Sequence, residues 1–471
     1  MSALWTAEAA AAATGGLRQG GDWVATGVSI DTRSLRPGDL FVALKAARDG
    51  HDFVADALAK GAAAALVSQV PSGAEDGNLL VVEDVQQALE ALGKAGRARS
   101  SAKVIAVTGS VGKTTTKDML RLALAGQGRT HASVESYNNH WGVPLTLARM
   151  PVDTDFAVIE IGMNAPGEIA PLARMAAPHV AIVTTVAAAH LEAFESVDGI
   201  AVEKASIYEG LPRGGTAILN ADLETSPILM DAATRRHAQI IRFGARPEAE
   251  ARLTRLEATE AASVAQASLL GSAVLLKLSV PGAHLVMNAL AALAAVAAVG
   301  GDPAKAILAL NAWSPVAGRG TREPIVLNIT DGDGIELIDD AFNANPASVT
   351  AALDVLAAAS PRGRGRRIAV LGDMLELGRD AARLHADLAQ VPAMAAIDLV
   401  HSAGALMAHL DAALPPSKRG LHRDSADDLA RAVVPDLRPG DVLLVKGSKS
   451  SNMSRVVDAL RKLGQAVADR A

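Results

Sequence analysis

Short apolar runs, each followed by a stretch of helical periodicity, recur along the whole chain. In the first hundred residues the clearest run is 40–44, behind a Pro37-Gly38 turn. Further on, runs at 104–107, 156–161, 180–186, 217–220 and 239–243 predict strands, and 199–211 a helix. A second alternating set predicts strands at 336–340, 367–372, 399–402 and 442–446, with helices at 346–358, 379–389 and 453–462. Pro346 directly after Asn345 is a helix start signal. Such alternation predicts parallel sheets with helices on both faces, and ligands at the carboxyl ends of the strands. The polar, basic stretch 94–103 (KAGRARSSAK) reads as a linker. The expectation is an α/β protein of three domains: 1–100, a central parallel-sheet domain at 101–316, and a Rossmann-like domain at 317–471.

Composition narrows the function. A chain of 471 residues is too long for one core. Half its residues are hydrophobic but only 3% are aromatic, so the cores must be aliphatic. Cysteine is absent, which excludes disulfides, thiolate metal sites and thiol catalysis. A net charge of −6 with no basic face argues against nucleic acid as a partner. The first residues carry Glu8 and no basic leader region, and no charge-free run reaches membrane-spanning length. A cytoplasmic protein without membrane insertion is expected.

The stretch KVIAVTGSVGKTTTKDM (103–119) carries the most specific chemistry. A buried strand runs into Gly109, Ser110, Val111 and Gly112, and Lys113, Thr114 and Thr115 open a helix. Loops of this kind turn backbone N–H groups and a helix N-terminus toward phosphate. Lys113 would reach the β- and γ-phosphates, and the Thr114 hydroxyl would bind Mg²⁺. Val107 stands where the longer P-loop motif has its first glycine.

Other polar residues sit where a ligand would lie. Glu160 ends an apolar strand, where an unpaired carboxylate is costly, and its oxygens suit Mg²⁺. Taken singly, His190 reads as a core histidine and Lys204 as a solvated position on a helix. Ser29, Asp31, Thr32 and Arg33 crowd one polar turn. The loops 372–378 and 446–450 follow predicted C-terminal strands.

Together these stretches resemble the Mur ligase family of peptidoglycan synthesis over nearly the whole chain. The carriers are TGSVGKTTTK, SYNNHWGVPLTLARM (136–150), IEIGMNAPGEI (159–169), AAAHLEAF (187–194), IDDAFNANPASV (338–349), VLGDMLELG (370–378) and LVKGSKSSNM (444–453). SIDTRSLRPGDLFVALKAARDGHDFV (29–54) is similar to the family's uridine-nucleotide domain. Phe342, Ala165 and Leu285 depart from the commoner Tyr, His and Asn. The resemblance implies Mg²⁺ ligation by Thr114, Glu160 and His190, and a Lys204 carbamylated by CO₂ as a further ligand. It implies ATP contacts at Asn288, Arg319 and Asp340, and substrate contacts at Asn138, Asn139, Asn343, Asn345, Asp373 and Lys446. Ser29, Asp31, Thr32 and Arg33 would meet the uridine nucleotide.

The C-terminal signatures imply the family activity that joins D-alanyl-D-alanine to UDP-N-acetylmuramoyl-tripeptide with ATP, through an acyl phosphate. Alternatives are a sister ligase or folylpolyglutamate synthase, or a nucleotide-dependent switch lacking an acyl acceptor. A monomer is expected. Pro315, Gly318 and Gly320 predict a hinge over 314–321. The ligand-free form is expected to be open, with Asp340, Asn343, Asp373 and Lys446 far from Lys113.

Overall fold

The computed structural model describes residues 3–134, 136–328 and 333–468. The N-terminal sheet has five strands, in the order Leu17–Gln19, Leu79–Val81, Ala64–Val67, Asp39–Val42 and Gly27–Ser29. All of its pairings are parallel except that of the edge strand Leu17–Gln19.

The central sheet has nine strands. Thr130–Ala132, Phe156–Glu160, Lys103–Thr108, Val180–Val183, Thr216–Asn220, Gln239–Gly244 and Ala251–Ala258 lie parallel in that order. Ser263–Leu269 and Ser272–Leu278 continue it antiparallel. The purely parallel sheet expected from sequence is therefore extended by an antiparallel edge. Residues 263–269 and 275–278 alternate buried with more exposed positions, the pattern of a half-solvated sheet.

In the C-terminal sheet the order is Thr321–Asn328, Asp333–Asp340, Val442–Lys446, Arg367–Gly372, Leu399–Ala403 and Arg419–Arg423. Only its first pairing is antiparallel. Asn345 caps the helix Pro346–Ala357 in a reciprocal capping box with Ser348. Two other helices differ in extent from the sequence reading. The 379–389 stretch is a 3-10 turn at Gly378–Asp380 leading into Ala381–Asp387, and the last helix runs Ser454–Ala468.

The aliphatic composition finds its use in the helix Ala283–Ala298, which lies against the central sheet. Its residues are small enough to be buried almost all round, from Leu285 to Val296. Only Asn288 interrupts that apolar stretch with a polar side chain, and it points toward the P-loop.

The expected linker at 94–103 is not one. Residues 94–98 finish the helix Val85–Ala98, which packs on Gly142–Ala148 of the central domain. A Cβ at Gly96 would stand 2.3 Å from the Leu147 carbonyl oxygen, so the close approach requires glycine there. Arg97 donates to the carbonyls of Ala176 and Ala177, and Arg99 to those of Leu4 and Met150. The basic residues that suggested a solvated linker instead dock the first domain on the second.

The expected open form also differs from the structure. Residues 314–320 lie outside helix and strand, as a hinge requires, but the C-terminal domain is closed on the central one. His190 Nδ1 and Glu376 Oε2 are 2.5 Å apart, and Arg319 Nη2 donates to Ser136 Oγ at 3.0 Å. Polar contacts between the two domains thus hold a closed arrangement.

Candidate active site

The P-loop strand Lys103–Thr108 and its neighbours end together, so Thr108, Glu160 and Val183 lie at one edge of the sheet. From there the chain turns through Gly112, at φ 87°, into the helix Lys113–Ala125. A Cβ at Gly112 would come within 2.6 Å of Asn288 Oδ1, so both the dihedral and the space select glycine. Lys113 Nζ donates to the Gly109 carbonyl at 2.6 Å, folded back over its own loop. Burial pushes its pKa down, opposed by Glu160 and reinforced by Arg319.

Glu160 is fully buried. Its Oε1 accepts from Thr114 Oγ1 at 3.1 Å and from Asn138 Nδ2 at 2.7 Å. Its Oε2 lies 3.8 Å from Lys117 Nζ and, among the described residues, has no hydrogen-bond partner. A buried carboxylate oxygen without a donor is costly, and a hard cation satisfies it. Thr114, Glu160 and His190 line the same cavity. Among the described residues no group of three or more His, Cys, Asp or Glu side chains could hold a metal. This donor set fits Mg²⁺, which takes few protein ligands and completes its shell with water and phosphate oxygens.

Lys204 is 1% exposed, not solvated as a helix surface position would be. Among the described residues, the hydrogen-bond partner of Nζ is the Met163 thioether, at 3.8 Å. Desolvation pushes its pKa well below the usual lysine value, and the positive charge of Lys113 adds to the effect. The His190 imidazole is pushed down by burial and drawn up by Glu376.

The cavity has a volume of about 790 Å³ and reaches from the P-loop to the C-terminal sheet. Ser110, Val111, Asn139, Asn288, Arg319, Asp340, Asn343, Asn345 and Lys446 all line it. Lys446 is buried, with Nζ 2.6 Å from Asp340 Oδ2 and donating to the Asn343 carbonyl at 2.9 Å. Burial raises the Asp340 pKa against the pull of Lys446. The Arg319 guanidinium stacks over the Phe342 ring at 4.0 Å, a planar cationic surface suited to a nucleotide. His284, absent from the sequence candidates, also lines this wall, and burial lowers its pKa to about 4. Asp373 is not part of the lining; it accepts from the Met407 N–H at 2.8 Å behind its loop.

A second cavity of about 890 Å³ lies against the N-terminal domain. Asp31, Thr32 and Arg33 line it, with Arg48, His51, Phe53 and three residues of the central domain, Tyr137, His140 and Trp141. Arg33 binds Asp31 through Nε and Nη2, and this hydrogen bonding lowers the Asp31 pKa to about 2. Ser29 is buried beneath the turn, donating to the Asp31 carbonyl, and is not in the lining. The segment 136–141 divides the two cavities. Ser136, Asn138 and Asn139 face the P-loop cavity, and Tyr137, His140 and Trp141 the other.

Three segments match known domains: 24–106 the Mur ligase family catalytic domain, 107–296 the Mur ligase middle domain, and 327–449 the Mur ligase glutamate ligase domain. The UDP-N-acetylmuramoyl-tripeptide–D-alanyl-D-alanine ligase of Bacillus subtilis (strain 168) is 36% identical, with 92% of this chain and 93% of that protein covered. The ligase of the same name from Escherichia coli (strain K12) is 37% identical, covering 95% and 96%. The chain belongs to the Mur ligase family.

Among solved Mur ligases, MurF from Acinetobacter baumannii superposes with a TM-score of 0.84 at 29% identity, covering 97% of this chain and 99% of that one. MurF from Thermotoga maritima in complex with ADP gives 0.77 at 26%, covering 94% and 98%. In this Mur ligase, sequence reasoning did not single out Lys117, His284 or Glu376, and it marked the segment 136–150 without naming its aromatic wall, Tyr137, His140 and Trp141. Lys117 lies one helical turn after Lys113, a spacing that could have flagged it. The others come together only through tertiary folding.

Proposed function

We propose that the protein joins D-alanyl-D-alanine to UDP-N-acetylmuramoyl-tripeptide with ATP, in peptidoglycan synthesis, as a cytoplasmic monomer. The observation that carries this reading is the 136–141 segment, whose residues line two cavities at once. A substrate with a nucleotide at one end and a reacting carboxylate at the other needs two such sites joined by a short wall. The N-terminal domain (1–100) would hold the uridine end through Asp31, Thr32 and Arg33, with Ser29 supporting the turn from beneath. The central domain (101–316) would hold ATP at Gly109–Thr115 and Asn288. The C-terminal domain (317–471) would add Arg319 at the hinge and Asp340, and meet the dipeptide through Asn343, Asn345 and Lys446. Asp373 would act from behind its loop.

The chemistry follows from charge. The tripeptide carboxylate attacks the γ-phosphorus, expels ADP and leaves an acyl phosphate. The dipeptide amine then attacks the acyl carbon, and the C–O bond to phosphate breaks. A carboxylate needs no base for the first step, so positioning and neutralisation carry it. Lys113 supplies positive charge beside the γ-phosphate. Thr114, Glu160 and His190 would hold Mg²⁺, which neutralises phosphate oxygens when bound. Lys204, buried near Lys113 and, among the described residues, without an anionic hydrogen-bond partner, suits conversion to a carbamate: its uncharged amine would add CO₂, release a proton and become an anionic oxygen donor. The closed cavity would keep water from the acyl phosphate.

Phosphate release from ATP with UDP-N-acetylmuramoyl-tripeptide, with and without D-alanyl-D-alanine, tests the reading. Release should depend on the dipeptide and match the pentapeptide formed. Equal release without the dipeptide would favour a nucleotide switch, and release with a single amino acid instead would favour a sister ligase.

A further inference from the structure

We infer that Glu376 is a positioning residue for His190, brought to it by closure of the C-terminal domain. The inference rests on the reading of His190 as a metal ligand. Glu376 Oε2 lies 2.5 Å from His190 Nδ1. A carboxylate accepts, so Nδ1 must carry the proton, and the lone pair of the neutral ring is then on Nε2. An imidazole fixed in this way presents Nε2 to a cation, the arrangement by which a carboxylate behind a histidine sets its tautomer and raises its basicity.

Three further observations support a built contact. His190 at φ 60° and Glu376 at φ 62° both hold the left-handed backbone that side-chain-bearing residues seldom adopt. Strain on both sides of one contact, in two different domains, points to a geometry selected for that contact. The loop also makes a second attachment, because the Glu192 N–H donates to the Glu376 carbonyl at 3.2 Å. Finally, the loop is braced from behind. The Met374 N–H donates to Nε2 of the fully buried His385 at 2.9 Å, and the Leu375 N–H to Ser448 Oγ at 2.8 Å. The C-terminal domain therefore presents a preformed tip, and His190 acquires its orienting carboxylate only when that tip arrives. Metal-site assembly and domain closure become one event.

The test measures Mn²⁺ binding by the loss of its free EPR signal, in the presence of ADP and UDP-N-acetylmuramoyl-tripeptide. It compares wild type, Glu376→Ala, His190→Ala and the double variant. The Glu376 side chain is 56% exposed, so its removal should leave folding intact, and circular dichroism confirms this. Loss of the orienting carboxylate should weaken Mn²⁺ about tenfold or more, and Glu376→Ala should add nothing in the His190→Ala background. Wild-type Mn²⁺ affinity in Glu376→Ala, with affinity lost in His190→Ala, would overturn the positioning role alone. Unchanged affinity in His190→Ala would overturn the metal-ligand reading, and the positioning role with it.

Discussion

Replacing Lys113 with alanine removes nearly all ligase activity and leaves the protein folded. The side chain lies over the P-loop, bonded to the Gly109 carbonyl, and contributes no apolar packing to the core clusters. In the structure its positive charge is already partly desolvated, since burial lowers its pKa. A cation in a low-dielectric cavity acts strongly on charge that develops nearby, and the γ-phosphate supplies that charge. Removing one such preorganised group costs on the order of 10²–10³-fold in kcat. Steady-state kinetics with thermal melting checks both halves of the prediction. Wild-type turnover in the folded variant would remove Lys113 from the reaction.

Replacing Lys204 separates function from stability more sharply. A lysine amine buried to 1% exposure, with a thioether as its hydrogen-bond partner among the described residues, is a poor contributor to folding. Lys204→Met keeps the length without the buried polar amine, and should melt at or above the wild-type temperature. Yet Lys204→Ala should lose activity by on the order of 10²-fold or more, because the carbamate oxygens are gone. The vacated volume can admit a small anion, so acetate or propionate should restore part of the rate while formamide should not. Full activity in Lys204→Ala would remove the carbamate from the account.

Much of the fold and part of the site are legible in the sequence, for identifiable reasons. Strands buried on both faces, such as 104–107 and 442–445, are short continuous apolar runs bounded by polar or glycine-bearing turns, a strong strand signal. Of the three strands within 251–278, Ala251–Ala258 and Ser263–Leu269 carry no apolar run of that length, and the short run 273–276 lies between polar Ser272 and Lys277, so they escape notice. Gly109 to Thr115 form one local element, and their chemistry is written in their order. Lys204 is different: a lysine among Val202, Glu203 and Ser206 looks solvated, and only the packing of its helix against the central sheet buries it. The stretch 94–103 misleads in the same way, because Arg97 and Arg99 use their charge on carbonyls of another domain. Glu376 and His190 lie nearly two hundred residues apart, and only domain closure makes them a pair.

The central claim is that the peptide carboxylate is phosphorylated before the amide forms. It is tested most directly with UDP-N-acetylmuramoyl-tripeptide whose reacting carboxylate carries two ¹⁸O atoms. Attack of that carboxylate on the γ-phosphorus, followed by amine attack at carbon, sends one labelled oxygen into the released phosphate and leaves the other in the new amide. Mass spectrometry should therefore find inorganic phosphate with a single ¹⁸O, in amounts equal to the ligated product. Product formed with phosphate free of label would contradict the account.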